Sequence, residues 1–204
     1  MKINKKKFLY LISPNKILKS FYGDLIEVFK SNKISFFQLR LKKISYEKKY
    51  KIAKKIQKIC IRFKVKLIIN DDPRLAKKIN ADGCHIGQKD MNINSARKLL
   101  SNKIIGVTCH NSIKLAMIAN KNNADYIAFG AFNSSKTKTV RYKANIGIIK
   151  KLKKTTNIPV VAIGGISNLN YKKLLLNKAD FLAISGYIWN NKKLKPIEAI
   201  KLLK

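Results

Sequence analysis

The feature that most constrains the fold of this chain is an alternation of short apolar runs with longer segments of helical periodicity, repeated throughout. Apolar runs of this length are typical of buried β-strands. The eight candidate strands are residues 8–13, 35–42, 66–70, 83–87, 104–109, 126–130, 159–165 and 181–186. The segments between them are amphipathic, and residues 46–63 are a clear example. One side of that segment carries Tyr50, Ala53, Ile56, Gln57 and Cys60, whereas lysines occupy the other.

Eight strand and helix units in 204 residues predict an α/β protein with a single (β/α)8 barrel domain over residues 1–204. A doubly wound, Rossmann-like sheet is the structural alternative. Such a sheet would carry a GxGxxG turn after an early strand if it bound a nucleotide, and the sequence has neither that turn nor a Walker A pattern. The 46% of apolar residues is ample for one core.

The cysteines and the N-terminal segment limit the cellular setting. Cys60, Cys84 and Cys109 are odd in number and lack metal-site spacing, so we expect buried, reduced thiols. The apolar run at residues 8–13 is too short for a signal-peptide core or a membrane span. We therefore expect a cytoplasmic protein without a membrane partner. The sequence leaves the oligomeric state open, a homo-oligomer included.

The formal net charge of +35 raises the question of a polyanionic partner. Only five of the 45 basic residues are arginine, and the lysines are spread over nearly every segment. Scattered lysines form a solvated surface more often than a binding site. We interpret the charge as codon bias at tolerant surface positions, with weak binding to polyanions at low salt and no specific nucleic-acid partner.

Cationic side chains gather at the end of the second predicted strand, in Gln38-Leu39-Arg40-Leu41-Lys42. Period-two spacing directs Gln38, Arg40 and Lys42 to one face of the strand. Cations directed into a barrel need an anionic partner, and a diphosphate is the favoured hypothesis. An ion pair with a carboxylate of the protein is the alternative.

Acidic side chains follow the third and fourth strands, in Asn70-Asp71-Asp72 and at Asp90. The chain has only ten acidic residues, so three of them at adjacent strand ends concentrate negative charge where a cation could bind. Carboxylate oxygens suit Mg²⁺, and Asp71 and Asp90 are the expected ligands. As structural alternatives, Asp72 could cap the next helix and Asp90 could shape a turn.

Anion-binding features follow the later strands. The loop at residues 131–145 contains Ser134-Ser135-Lys136-Thr137-Lys138, and a loop of this length in a compact barrel is often functional. Gly164-Gly165 and Ser185-Gly186 end the last two strands, where barrels commonly bind phosphate. The pattern therefore predicts two phosphorylated small-molecule ligands at the C-terminal ends of the strands.

These motifs resemble those of bacterial thiamine-phosphate synthases from about residue 8 to residue 200. The matching blocks are QLRLK, IINDDPRLA, ADGCHIGQKDM, IIGVTCHN, ADYIAFGAF, SSKTK and PVVAIGGI. Asn-Asp followed by Ala-Asp-Gly-x-His-x-Gly-Gln-x-Asp is the most specific of them, whereas Gly-Gly before a helix is common.

The resemblance implies a role for each site residue. Those expected to hold a pyrimidine diphosphate are Gln38, Arg40, Lys42, Asn70 and Lys138, with Thr108 facing the pyrimidine. Those expected around a thiazole phosphate are Ser135, Lys136, Thr137, Gly165, Ser185 and Gly186. The family's Mg²⁺ would bind Asp71 and Asp90, and His85 and His110 would be mainly structural.

The family's reaction is a transfer in which diphosphate leaves, a pyrimidine-stabilised methylene cation forms, and the thiazole nitrogen captures it. No general base is needed, so Arg40, Lys42 and Lys138 would be catalytic by stabilising the leaving diphosphate beside Mg²⁺.

The sequence departs from the family pattern at four places. Leu41 stands where Glu is usual, Thr108 where Ser is usual, and Ser134-Ser135 where Pro-Thr is usual. The hydroxyl of Ser185-Gly186 is displaced by one residue. We expect altered affinity rather than loss of activity.

Two other functions compete with the synthase hypothesis. A thiazole tautomerase has the same barrel without a diphosphate and metal site, and the presence of Asn70, Asp71, Asp90 and Lys138 argues against it. A non-catalytic barrel that binds thiamine intermediates or RNA is the other alternative.

Overall fold

The computed structural model describes residues 8–134 and 142–204. Within them, eight parallel strands close into a barrel in which each strand pairs with its neighbours in sequence and the last pairs with the first. The strands are β1 (Leu9–Ile12), β2 (Ile34–Leu39), β3 (Lys66–Asn70), β4 (Gly83–Ile86), β5 (Ile104–His110), β6 (Tyr126–Gly130), β7 (Val160–Ile163) and β8 (Phe181–Ile184). The predicted (β/α)8 fold is confirmed, and the doubly wound alternative is wrong.

Helices connect successive strands and cover the outside of the barrel, and two more follow the last strand. They are α1 (Phe21–Lys30), α2 (Tyr46–Arg62), α3 (Pro73–Lys78), α4 (Ile93–Leu100), α5 (Ile113–Lys121), α6 (Gly147–Lys153), α7 (Tyr171–Leu176), α8 (Gly186–Trp189) and α9 (Pro196–Lys201). Short polar side chains begin four of them by accepting a backbone N–H three residues on. These are Ser45, Asp72, Asn92 and Ser112. In the part of the chain described, no helix combines the length and apolar character needed to cross a membrane.

Three strands end two or three residues earlier than their apolar runs predict. β2 ends at Leu39, β7 at Ile163 and β8 at Ile184, rather than at residues 42, 165 and 186. After β7, Gly164 and Gly165 adopt φ of +104° and +58°, which an extended strand does not permit. The last residues of these three apolar runs belong to loops at one end of the barrel.

The side chains pack in two separate layers. The larger layer lies between the barrel and the helices and contains Leu39 and Leu41, so alternation of inward and outward side chains continues past the end of β2. The smaller layer fills the barrel and contains Tyr10, Ile12, Phe36, Ile68, Tyr126, Ala128, Val161, Phe181 and Ala183. Aromatic rings dominate this inner layer, with ring centroids 5.1 Å apart for Phe36 and Phe181. The barrel is therefore filled, and ligands must bind at its end.

The three cysteines are buried and form no disulfide, as the sequence predicts. Burial raises the pKa of each thiol, to about 12 for Cys109. Because a raised thiol pKa disfavours the reactive thiolate, these side chains act as apolar packing groups at neutral pH.

Three aspartates brace the N-terminal ends of the strands, which we call the base of the barrel. Each follows an alanine and directly precedes an even-numbered strand. Each carboxylate accepts a hydrogen bond from the backbone N–H of the preceding strand: Asp82 from Leu67 (2.9 Å), Asp125 from Ile105 (2.8 Å) and Asp180 from Val160 (2.7 Å). Each also pairs with a cation: Lys66 at 2.8 Å, Arg97 at 2.6 Å and Lys153 at 2.6 Å, respectively. The carboxylates thus join consecutive strands where the backbone ladder begins.

Candidate active site

The C-terminal ends of β1 to β8 form the mouth of the barrel, and most of the described site residues predicted from the sequence lie there. Ser13 follows β1 and joins two of the strands. Its Oγ accepts from the Arg40 backbone N–H at 2.9 Å, and its carbonyl accepts from Ser185 Oγ at 3.2 Å. Sequence reasoning missed Ser13, although a serine that directly follows a barrel strand was an available signal. Ser13 therefore links Arg40, which is predicted to bind the diphosphate, to Ser185, which is predicted to bind the thiazole phosphate.

The three polar side chains of the QLRLK block have different surroundings. Gln38 is 3% exposed and lies inside the barrel. Arg40 is half-buried, and its Nη1 lies 3.4 Å from Asn15 Oδ1. Lys42 is exposed, with its Nζ 3.4 Å from Asp71 Oδ2. The alternative of a protein ion pair therefore holds for Lys42, but such an exposed pair is weak and can rearrange around a ligand.

The buried Leu41 side chain explains one departure from the family pattern. Leu41 is 7% exposed and packs in the outer layer against the helices. A leucine fits this apolar position without leaving a polar group buried.

The predicted metal ligands Asp71 and Asp90 are brought together across adjacent strands. Asp71 has φ of 62°, and its backbone N–H donates to His85 O at 2.8 Å. Loss of water around Asp90 raises the pKa of its carboxyl, and the Asp71 carboxyl, in hydrogen-bonding contact, raises it further. The Gly87 N–H and the charge of Lys42 act in the opposite direction on that pKa. Two carboxylates in contact require a shared proton or a cation.

Both structural alternatives for the acidic residues are also present. Asp72 caps α3 by accepting from Leu75 N at 2.9 Å and pairs with Lys49 at 3.5 Å. Asp90 Oδ2 accepts from Gly87 N at 2.7 Å and so shapes the turn after β4. Asp72 thus has a sufficient structural role, whereas the turn leaves Asp90 in contact with Asp71. Among residues 8–134 and 142–204, no three His, Cys, Asp or Glu side chains group as a metal site.

Asp71 and Asp90 fit Mg²⁺ because the atoms they offer as ligands are carboxylate oxygens. Two carboxylates at a solvent-accessible strand end match a cation that keeps several waters or phosphate oxygens as its other ligands. Asn70, the last residue of β3, is half-buried beside them. A pair of carboxylates without nitrogen or sulfur donors disfavours zinc or another soft metal.

A chain of hydrogen bonds crosses the barrel interior from β2 to β5. Gln38 Nε2 donates to Tyr10 Oη at 2.9 Å, and Tyr10 Oη lies 2.7 Å from Tyr126 Oη. Tyr126 Oη lies 2.9 Å from His85 Nδ1, and His85 Nε2 lies 2.7 Å from Thr108 Oγ1. The two tyrosines connect the predicted ligand residues Gln38 and Thr108, yet sequence reasoning assigned the tyrosines no role. Tyrosine within an otherwise apolar strand was the available signal, because a buried hydroxyl needs a partner.

Burial keeps the middle of this chain uncharged. It raises the pKa of Tyr10 and of Tyr126 well above the usual range. It also lowers the pKa of His85 to about 4, although the charge of Asp90 opposes that shift. His85 is therefore neutral at physiological pH, and its expected structural role extends to linking Tyr126 with Thr108. His110 stacks on Tyr142 with ring centroids 4.2 Å apart.

The glycine pair after β7 packs against the loop that follows β6. A Cβ at Gly165 would lie 2.2 Å from the Ser134 carbonyl oxygen, so a larger residue there would displace the loop. Phe132 N and Asn133 N donate to Ile163 O and Gly164 O at 3.1 Å each. Ser185 and Gly186 lie at the start of α8. Both predicted phosphate segments therefore reach the mouth.

Four predicted residues, Ser135, Lys136, Thr137 and Lys138, lie outside the described residues. The chain on either side of them is positioned at the end of β6. Ala131 N donates to Tyr142 O at 2.9 Å, and Ala144 N donates to Ala131 O at 2.8 Å. The described residues on both sides of this segment therefore lie at the mouth.

Comparison with known proteins gives the same relationship by sequence and by structure. The family model for thiamine monophosphate synthase matches residues 9–188. A thiamine-phosphate synthase of Pelagibacter ubique is 67% identical over 207 aligned positions, covering 100% of both chains. One from Nitrosococcus oceani is 35% identical, covering 94% of this chain and 89% of the relative. A solved thiamine phosphate pyrophosphorylase from Pyrococcus furiosus superposes with a TM-score of 0.85 at 26% identity, covering 98% of this chain and 94% of that one. The chain therefore belongs to the thiamine-phosphate synthase family of transferases.

Proposed function

We propose that this protein condenses an aminopyrimidine bearing a methylene diphosphate with a methylthiazole phosphate, or its carboxylated precursor, to give thiamine phosphate and diphosphate. Family membership supports the overall reaction. The observation that carries the site assignment is the meeting of cations and carboxylates at one mouth, where Lys42 Nζ lies 3.4 Å from Asp71 Oδ2. In the complex, Lys42 would pair with the diphosphate and Asp71 with its counter-cation, instead of with each other.

Arg40 and Lys42 would bind the diphosphate and stabilise the charge that develops as it leaves. The guanidinium of Arg40 suits two oxygens at once, whereas the ammonium of Lys42 is a movable point charge. Ser13 holds the Arg40 backbone through two hydrogen bonds, of 2.9 and 3.2 Å, and so limits the positions open to its side chain. Because diphosphate departure is the difficult step, preorganised cations at the leaving group would supply much of the rate acceleration.

Asp71 and Asp90 would hold Mg²⁺ as part of the diphosphate site. Mg²⁺ supplies neutralisation of the diphosphate charge, which makes the diphosphate a better leaving group. The left-handed backbone at Asp71 and the turn closed by Asp90 accompany the contact between the two carboxylates. Lys138 would add a further cation, and Asn70 an amide, to the diphosphate.

The remaining proposed contacts orient the two organic substrates. Gln38 and Thr108 would bind the pyrimidine. Ser135, Lys136, Thr137, Gly165, Ser185 and Gly186 would bind the thiazole phosphate. The nitrogen of the thiazole then captures the methylene cation, so alignment rather than proton transfer is required of the protein.

The test is product formation from the two substrates with Mg²⁺ and with a chelator, measuring thiamine phosphate and diphosphate separately. Equimolar, metal-dependent products are expected. A folded protein that yields neither product contradicts the proposal. Interconversion of thiazole isomers without diphosphate release would identify a tautomerase, and binding without turnover a non-catalytic barrel.

Asp71→Asn tests the metal assignment. The variant should need a Mg²⁺ concentration roughly 10-fold or more higher for half-maximal rate, because an amide is a weaker ligand than a carboxylate. The matched control is Asp24→Asn, which changes an exposed carboxylate on α1. An unchanged Mg²⁺ requirement in Asp71→Asn would remove this residue from the site.

A further inference from the structure

We propose that Gln38, Tyr10, Tyr126, His85 and Thr108 form a directional relay that presents the Thr108 hydroxyl to the ligand as a hydrogen-bond donor. Tyr10, Tyr126 and His85 are positioning residues in this relay, since they act on the ligand through Thr108. The identity of the ligand rests on the proposed function, whereas the direction of the hydrogen bonds does not.

Exposure identifies the end of the relay at which a ligand binds. Tyr10 and Tyr126 are each 1% exposed, Gln38 is 3% exposed and His85 is 8% exposed. Thr108 is half-buried, close to the C-terminal end of β5. The relay therefore meets a ligand at the Thr108 hydroxyl. A contact of Gln38 with the pyrimidine would use the amide atoms that take no part in the relay.

The direction of the relay follows from counting hydrogens, beginning at Gln38. Its Nε2 is a donor only, so Tyr10 Oη accepts there. If Tyr10 donates to Tyr126, then Tyr126 donates to His85 Nδ1 and His85 Nε2–H donates to Thr108 Oγ1. Each hydrogen shared between relay members then has an acceptor, and the Thr108 hydrogen is left for a ligand.

With Gln38 Nε2 facing Tyr10, the opposite direction leaves a buried hydrogen without an acceptor. If Tyr126 donates to Tyr10, the Tyr10 hydroxyl receives two donors, and its own hydrogen has no acceptor among the described hydrogen bonds. A charged His85 gives the same fault, because both ring nitrogens then donate and one phenol hydrogen is stranded. An unmet buried donor disfavours these arrangements by roughly 10-fold or more.

Packing holds the central ring of the relay in place. A Cβ at Gly106 would lie 1.8 Å from Tyr126 Cζ, so the glycine on β5 provides the space for the Tyr126 ring. The Tyr126 ring also stacks with His85 at a centroid distance of 5.6 Å. The hydroxyl is thus held between Tyr10 and His85.

The relay predicts which ligand atom Thr108 recognises. A hydroxyl committed to donating favours a hydrogen-bond acceptor, such as an unprotonated ring nitrogen of the proposed pyrimidine, and disfavours a donor at the same place. The buried partners therefore restrict the Thr108 hydroxyl to donating, although a free hydroxyl could donate or accept. The restricted hydroxyl distinguishes a hydrogen-bond acceptor on the ligand from a donor.

The first experiment determines the His85 tautomer by ¹⁵N–¹H correlation spectroscopy on the unliganded full chain. The chain has two histidines, so His110→Gln suffices to assign the signals. A neutral ring protonated at Nε2 is expected. A dominant Nδ1–H form would overturn the relay, whether or not the chain proves to be the proposed synthase.

The second experiment compares steady-state kinetics of Tyr126→Phe, Thr108→Val and the double variant. Each single change should raise KM for the pyrimidine diphosphate roughly 10-fold, with KM for the thiazole phosphate within about 2-fold of its original value. The double variant should be no worse than Thr108→Val, because Tyr126 acts through that hydroxyl. Multiplying effects would contradict the relay.

The control is Tyr171→Phe, which removes a tyrosine hydroxyl that bonds Lys204 N and O at 3.0 and 2.6 Å, away from the mouth. It should leave both KM values unchanged. Tyr10→Phe provides a second relay variant if Tyr126→Phe fails to fold. Absence of turnover in the unmodified protein would contradict the proposed function, while the tautomer measurement would still decide the relay.

Discussion

The base and the mouth of the barrel use the same kind of residue in opposite ways. At the base, Asp82, Asp125 and Asp180 each accept a strand N–H and pair with a cation. At the mouth, Asp71 and Asp90 contact each other, and Asp71 lies 3.4 Å from the exposed Lys42. The base carboxylates are each paired with a cation of the protein, whereas the two mouth carboxylates lie against each other.

This difference indicates where each end contributes free energy. Neighbouring strands at the base gain hydrogen bonds that water would otherwise provide, so the base carboxylates contribute to folding. Like charges at the mouth oppose folding but favour a cation when one binds. A barrel can carry this cost at the mouth because the strands are already joined at the base.

The largest effect should come from breaking the base. Asp180→Ala removes the partner of Lys153 and of Val160 N–H, in an ion pair whose side chains are 15% and 18% exposed. The free energy of unfolding should fall by about 3 kcal/mol, because Val160 N–H loses its acceptor and the half-buried Lys153, which keeps its hydrogen bond to Ile158 O, loses its anionic partner. Urea denaturation measures this change. The exposed pair variant Glu47→Ala should change it by less than about 0.5 kcal/mol, and equal losses would refute the argument from burial.

The next effect should come from the mouth and should spare stability. Arg40→Ala should lower turnover roughly 100-fold, the usual loss when one preorganised charge stabiliser is removed. Its unfolding midpoint should stay close to that of the unmodified protein. Arg74→Ala, an exposed arginine on α3, is the matched control for steady-state assays. Turnover unaffected by Arg40→Ala would place the leaving diphosphate elsewhere.

A smaller effect should appear in the pH dependence of stability. The folded-state pKa of His85 is lowered to about 4, chiefly by burial. Below about pH 6.5 the unfolded chain binds a proton at His85 that the folded chain does not bind, so acid favours unfolding. The free energy of unfolding has its full His85 contribution above that pH and loses it as the pH falls towards about 4. Between pH 7 and pH 5 the loss should be about 2 kcal/mol. Denaturation of His85→Gln at the same pH values should show a shallower decline, and parallel curves would exclude His85 as the source.

The smallest change in stability should follow removal of the mouth ion pair. Lys42→Met should alter the free energy of unfolding by less than about 1 kcal/mol, because the Lys42 side chain is 58% exposed. The same variant should bind diphosphate less tightly, which calorimetry can measure. A large loss of stability would show that Lys42 stabilises the mouth through its ion pair, as Lys153 stabilises the base.

The sequence was sufficient for the barrel and for much of the mouth. Eight apolar runs separated by amphipathic segments led to the correct strand order, because each parallel strand needs a crossover helix and the helices need one apolar side. Gln38, Arg40, Asp71 and Asp90 were identifiable as polar residues at strand ends. Strand limits at β2, β7 and β8 were less accurate, since apolar and glycine residues continue into the loops.

Three-dimensional contacts decided which polar residues act together. Ser13 and Arg40 lie 27 residues apart, and Tyr10 and Tyr126 lie 116 apart, yet their oxygen and nitrogen atoms are within hydrogen-bonding distance. No local pattern encodes a pairing across the barrel, because it depends on strand register and on the direction of each side chain.

What the sequence by itself determined was therefore the set of elements and the chemical character of each strand end, since both follow from the local order of apolar and polar residues. Only the tertiary structure decided which aspartates brace the base and which face each other at the mouth. It also decided which way the buried hydroxyls can donate. These properties depend on distances between residues remote in the chain, and on how much water remains around them once the barrel has closed.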